Sequence, residues 1–121
     1  PCAYSVTFNV TGDKLNAILN QRSQDVLAAN NWNVVQYAVL VHMMAQVAGL
    51  KPGELVHVIA DAHIYDRHIP VIEEIISNKP FDAPKLLIDK NIKDFYSFTK
   101  DSFALENYNF HEFTKKIPVA I

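Results

Sequence analysis

Asn30–Gly49 reads NNWNVVQYAVLVHMMAQVAG, and this stretch decides what kind of fold the chain can adopt. Val34, Val35, Ala38, Val39, Leu40, Val41, Met43, Met44, Ala45 and Val47 cover nearly the whole circumference of a helix running from about Asn33 to Ala48. A helix that is apolar on every side belongs in the core of a larger body. Asn30 or Asn31 is the expected N-cap, because a short polar side chain accepts the first unpaired backbone N–H groups. Gly49 is the expected stop, completed by Lys51-Pro52-Gly53. Trp32, Met43 and Met44, together with Phe8, are expected in the core rather than against a cofactor. Gln36, His42 and Gln46 interrupt the run from Val34 to Leu50, so it is too short and too polar to span a membrane.

Upstream of this helix, Tyr4, Val6, Phe8 and Val10 alternate with Ser5, Thr7 and Asn9, which is the period of a strand. Thr11-Gly12-Asp13 is a turn signal, and Leu15, Ala17 and Leu19 resume the alternation, predicting a β-hairpin. Ser5, Thr7, Asn9, Asn16 and Asn20 share its polar face, which is either solvated or paired against a second subunit. Downstream, Glu54 to Tyr65 returns to strand spacing. Val56, Val58, Ala60, Ala62 and Ile64 mark one face; His57, Asp61, His63 and Tyr65 mark the other. Pro70 is placed to open a short helix whose buried side is Ile72, Ile75 and Ile76. Pro80 and Pro84 frame a loop, and Lys85–Asp89 predicts a short buried strand. Phe95 to Phe103 carries weaker strand signals, and the chain is irregular from Tyr108. No internal repeat, low-complexity tract or domain boundary is visible.

The bulk numbers narrow the partners. At 121 residues, half of them apolar, the chain fits one globular domain or part of one. A mean hydropathy near zero and 11% aromatic residues argue against disorder. The net charge of −2 makes nucleic acid a poor partner. Arg22 and Arg67 are the arginines; the remaining cations are lysines. A lone cysteine, Cys2, cannot form an internal disulfide, which suits a reducing, cytoplasmic setting. No signal peptide is expected. A strand pattern begins almost at Pro1, so the chain is expected to be a piece of a longer protein.

Several groups have chemical potential. A cysteine nucleophile needs a nearby cation to favour the thiolate, and Arg22 on the adjoining strand is positioned to supply one. Without that, Cys2 is a small buried apolar residue. Arginine offers a planar fork for phosphate oxygens, and Ser23 adds a hydroxyl donor. Neighbours on an ideal strand point to opposite faces, so both reach one phosphate only if the strand ends or bulges there. The Asn33 amide both donates and accepts. Uracil presents a carbonyl acceptor beside a ring N–H donor, which one amide satisfies; cytosine presents the reverse and suits a carboxyl group. His63 and Tyr65, one pleat apart, are able to share a sugar hydroxyl. His57, Asp61, His63 and His68 resemble metal ligands, but their spacing matches no zinc signature, so no metal is expected.

Pro1-Cys2, Gln21-Arg22-Ser23 with Asp25, Asn33 opening a long helix, Asp61-x-His63-x-Tyr65 with His68, and terminal Pro118-Val119-Ala120-Ile121 occur in order along the whole chain. Each motif alone is weak. The ordered set resembles the thymidylate synthase family, over the C-terminal part of a single catalytic domain comprising residues 1–121. The resemblance implies an α+β fold with a mixed or antiparallel sheet packed on a long buried helix. It also implies a homodimer formed by sheets packed back to back. The implied reaction is reductive methylation of dUMP to dTMP, with methylenetetrahydrofolate as cosubstrate and no metal. On this resemblance Cys2 is the nucleophile, and Asn33 and Asp25 join it as catalytic residues. Arg22, Ser23, Asp25, Asn33, His63 and Tyr65 bind dUMP. Asp25, Ala29 and Ala120 meet the folate, and the C-terminal tail closes over it.

The chain departs from the family pattern in places. Ala3 stands where a histidine often follows the nucleophile, and Ala60 where a glycine is usual. Ala28-Ala29-Asn30-Asn31-Trp32 replaces the expected Leu-Gly-x-Pro-Phe, so Ala29 substitutes for a glycine near the folate. The resemblance places further phosphate-binding arginines and a glutamate for proton transfer in the N-terminal half, so the chain alone is expected to be inactive. Two alternatives stand beside this reading. One is a pyrimidine nucleotide hydroxymethylase of the same fold. The other is a thiol hydrolase pairing Cys2 with His63 or His111 as base.

Overall fold

The hairpin forms as its alternation predicts. In the computed structural model, which describes residues 1–119, β1 (Ala3–Thr11) runs antiparallel to β2 (Lys14–Gln21). Gly12 turns the chain between them with φ +62°, a conformation glycine adopts without a side-chain penalty. β2 also pairs in parallel with β4 (Lys51–Ile59), giving the order β1-β2-β4. Parallel neighbours cannot be joined by a tight turn; here the crossover carries the long helix α1 (Asn30–Val47). A short parallel pair, β3 (Gln24–Asp25) with β5 (Ala62–His63), extends the strand ends beyond the main sheet.

Burial follows the central position of β2. Leu15, Ala17, Leu19 and Gln21 lie on one of its faces and are buried, as are Val41 and Ala45 of α1. The other face of the sheet carries the predicted polar set. Asn16 donates to Asn9, and Asn20 to Ser5. Ile18, Val56 and Val58 are exposed apolar residues.

Several expectations are corrected here. Asn30 and Asn31 lie within α1 rather than capping it, and the preceding Ala29 offers no side-chain cap. The Asp25 carboxylate instead accepts from the backbone N–H groups of Leu27 and Ala28, both at 3.1 Å. Gly49 does stop the helix, with φ +69°, but Lys51-Pro52-Gly53 already belongs to β4. Trp32 and Met44 are exposed in this chain rather than in its core, because the sheet covers α1 from one side. The strand expected from Glu54 to Tyr65 is broken at Ala60–Asp61. There the main sheet ends with Ala60 N–H donating to Gln21 O, and pairing passes to β3, where Gln24 N–H donates to Asp61 O.

The chain divides into two compact units, Pro1–Ile64 and Tyr65–Ile121. In the second, a 3-10 turn at Asp66–His68 leads into α2 (Ile69–Ser77), with Pro70 in its first turn. Val71 is the buried position of α2; Ile75 and Ile76 are exposed, contrary to the expected face. β6 (Lys85–Ile88) pairs antiparallel with β7 (Phe103–Glu106) in a two-stranded ribbon. Leu87 of β6 is exposed, so this strand is not the buried one expected: among the described residues it pairs with β7 alone. The strand signals from Phe95 to Phe103 resolve into 3-10 turns at Phe95–Ser97 and Lys100–Ser102, with β7 opening at Phe103. Ser102 and Thr99 close the second turn with a reciprocal capping box. No helix or strand occurs from Tyr108 to Val119, as the sequence predicts.

Candidate functional site

The candidate residues of the first unit gather where β2 ends. Register along the hairpin shifts between Ala3 and Ser5: Ser5 faces Asn20, yet Ala3 faces Gln21. The extra residue, Tyr4, is a β-bulge, a device that re-aims the chain beyond it. Without it, Cys2 would lie opposite Ser23. With it, Cys2 O accepts from Arg22 N–H at 2.9 Å, so thiol and guanidinium spring from neighbouring backbone positions. Cys2 is half-buried and its thiol is free. β2 stops at Gln21 and the chain bends at Arg22, which meets the condition for Arg22 and Ser23 to serve one ligand.

Asp61 ties Ser23 to His63. Ser23 Oγ donates to Asp61 Oδ2 at 3.4 Å, and His63 Nδ1 lies 3.3 Å from the same oxygen. The parallel rungs Gln24 to Ala62 and Asp25 to His63 hold these residues at the ends of adjacent strands. Asp25 is committed locally through the turn that leads into α1, where Ala29 N–H donates to its carbonyl. Ala29 is the residue just before that helix.

Asn33 sits in the first helical turns and is half-buried, with its carboxamide engaged by Gln21. Gln21 is 3% exposed and fully bonded: Nε2 donates to Ser23 O at 2.9 Å and to Asn33 Oδ1 at 3.2 Å, and Oε1 meets His57 Nε2 at 2.9 Å. A buried carboxamide without these partners would be costly. Gln21, His57 and Asp61 bond within this candidate cluster, and sequence reasoning did not select them for the site. Gln21 did leave a signal, as the polar continuation of the buried series Leu15, Ala17, Leu19.

Tyr65 lies past the end of β5 and opens the second unit, so strand parity does not relate it to His63. Its ring meets His68 edge-on, with centroids 5.5 Å apart. His68 is buried and its Nε2 donates to Pro118 O at 2.8 Å, while Arg67 donates to Val119 O at 2.7 Å. The described part of the C-terminal segment is thus tied down through its carbonyls. Ala120 lies outside the described residues. Among the described residues, no cluster of three or more His, Cys, Asp or Glu side chains could hold a metal ion. None of the described helices is long and apolar enough to cross a membrane.

Comparison with known proteins agrees along the whole chain. The thymidylate synthase family model matches residues 1–121. A thymidylate synthase of Clostridium beijerinckii is 45% identical over 117 residues, covering 95% of this chain and 44% of that protein. One from Bacillus mojavensis is 44% identical, covering 89% of this chain and 39% of that protein. The solved structure of thermostable thymidylate synthase A from Bacillus subtilis superposes with a TM-score of 0.93 at 39% identity, covering 98% of this chain and 42% of that one. The chain spans less than half the length of these relatives. With an α+β core of the same architecture and a family match from end to end, the chain belongs to the thymidylate synthase family.

Proposed function

We propose that residues 1–121 form the C-terminal part of a single thymidylate synthase catalytic domain, which converts dUMP to dTMP in the cytoplasm. The observation that carries this reading is the meeting of Cys2, Arg22 and the Gln21-bound Asn33 at one end of β2. Cys2 is the nucleophile: its thiolate adds to C6 of the uracil ring, and the electron pair displaced from the C5–C6 bond gives an enolate. Arg22 favours the thiolate and, with Ser23, binds the phosphate. Asn33 donates to the ring carbonyl and accepts from the ring N–H, holding the base flat against the thiol. His63 and Tyr65 hold the deoxyribose hydroxyl.

Methylenetetrahydrofolate supplies the one-carbon unit and the hydride that reduces it to a methyl group. The Asp25 carboxylate is an acceptor suited to the ring N–H groups of that cosubstrate, and it catalyses by holding folate and nucleotide in register. Ala29 and the tail residue Ala120 complete the folate surface, and closure of the tail excludes water. The protein acts as a homodimer. The open sheet face bearing Ile18, Val56 and Val58 among asparagines supports this, because an apolar strip on a sheet face is worth covering.

Incubating the full-length protein with a fluorinated dUMP analogue and the folate is expected to leave a covalent adduct on Cys2, detected by mass spectrometry and lost in Cys2→Ser. The isolated chain is expected to form no dTMP. An adduct on another residue overturns the reading; dTMP formation by the isolated chain overturns the expected inactivity of this part alone; a hydroxymethylated product from dUMP reassigns the protein to the nucleotide hydroxymethylases.

A further inference from the structure

The bonds around Gln21 fix more than Gln21. The carbonyl oxygen of Ser23 can only accept, so the Gln21 atom facing it at 2.9 Å must be the amide nitrogen. The same nitrogen therefore directs its second hydrogen to Asn33, and Asn33 must answer with its oxygen, as found at 3.2 Å. Gln21 Oε1 is left facing His57 Nε2 at 2.9 Å, so the imidazole carries a hydrogen on Nε2. These assignments follow from one another, starting from a single backbone carbonyl.

Asn33 then has one orientation available. Rotating its carboxamide by half a turn would set an N–H against the N–H of Gln21 and orphan a donor on a side chain that is 3% exposed. The held orientation leaves Nδ2 and the second lone pair of Oδ1 for a ligand, which complements the carbonyl and N–H of uracil. The rotated one would complement the amino group and bare nitrogen of cytosine.

We infer that His57 is a positioning residue for base selection. Its Nε2–H locks the Gln21 carboxamide, which in turn locks Asn33 in the orientation that reads uracil. This rests on the assignment of Asn33 as the base-reading residue. When the donor at His57 is removed, the buried Gln21 oxygen loses its partner and the Ser23 carbonyl alone still orients the carboxamide, so the hold on Asn33 weakens.

The test compares dissociation constants for dUMP and dCMP, by calorimetry on the full-length protein, in wild type, His57→Phe and His57→Gln. Phenylalanine keeps the ring volume without a donor, while glutamine keeps an N–H near the same position. The preference for dUMP is expected to fall roughly tenfold in His57→Phe, the equivalent of one neutral hydrogen bond, and to stay within about twofold of wild type in His57→Gln. A role confined to stability would weaken both nucleotides alike and leave their ratio unchanged; that result overturns the inference, as does equal loss in both variants. Nitrogen-15 NMR of wild type provides a second reading that does not depend on a variant folding. It is expected to show a proton on His57 Nε2, and a proton on Nδ1 alone overturns the relay. If wild type gives no covalent adduct with the fluorinated nucleotide, the assignment of function has failed, and the NMR result judges the relay separately.

Discussion

The two units of this chain treat their apolar residues in opposite ways. In Pro1–Ile64, a crossover helix covers one face of a three-stranded sheet, burying Leu15, Ala17, Leu19, Val41 and Ala45 together with Gln21 and Gln24. From Tyr65 onward there is one short helix, a two-stranded ribbon and several 3-10 turns; among the described residues only Val71, His68 and Ser102 are buried. Tyr96 there is 91% exposed and Ile76 73%. The difference is architectural. A sheet of three strands with a helix over one face encloses a core, whereas a lone ribbon has no covered face to enclose one. The polar relay from His57 to Asn33 exists because the first unit has an interior in which a carboxamide must be fully bonded.

The strongest way to break this comparison is to make the same cut in both units. Leu19 is fully buried at 0% exposure, and Leu19→Ala is expected to destabilise by about 2–5 kcal/mol, the usual range for a core leucine. Leu105 of β7 is 52% exposed, and Leu105→Ala is expected to cost roughly 1 kcal/mol or less. Denaturant unfolding of the 121-residue chain measures both. Equal losses would show that the ribbon contributes as much packing as the sheet.

Gly53 sharpens the comparison inside the first unit. A Cβ at this position would lie 2.8 Å from Leu15 O and would overlap Asn16 Oδ1. The β2–β4 register shifts here, and Asn16 Oδ1 accepts the Glu54 N–H at 2.9 Å across the irregularity. Gly53→Ala therefore presses on backbone that cannot move without disturbing the sheet. It is expected to cost about 1–3 kcal/mol. Gly49→Ala meets no atom within 4 Å and suffers only the strain of φ +69°, about 1–2 kcal/mol. A Gly53 variant as stable as wild type would mean that the two strands slide freely at this point.

The same contrast explains what was legible in the sequence. The hairpin, the long helix and the stop at Gly49 were readable because periodicity and glycine report directly on a covered surface. The helix start was misread by three residues, since Asp25, five positions upstream of α1, satisfies backbone groups that Asn30 was expected to serve. The break at Ala60–Asp61 left no local mark, because it is set by where β2 runs out. In the second unit Ile75 and Phe95 carry strong local preferences with little around them to decide which face is inside, so the predicted buried face of α2 and the strand at Phe95 both failed. Of the site, Cys2, Arg22, Ser23 and Asn33 were legible as reactive types. Gln21 was hidden because its importance lies in being buried, and His57 because it read as one of several metal-ligand types rather than as a hydrogen-bond partner.

The smallest expected effect distinguishes the units by acidity. His42 lies on α1, and burial lowers its pKa from the ordinary 6.5 by disfavouring the charged ring. The folded chain therefore binds fewer protons at this site than the unfolded chain once the pH drops to 6.5 and below, and stability rises with pH across that window. Acidifying from above 6.5 should thus remove a contribution from the first unit that is fully present near neutrality and is lost as the pH falls towards the lowered pKa. His42→Gln takes away the titrating ring, so its stability should decline less than that of wild type over the same range, with no difference in slope at alkaline pH. If wild type and variant run parallel through the window, the ring titrates equally in both states, and the helix is more open to water at His42 than its half-buried position implies.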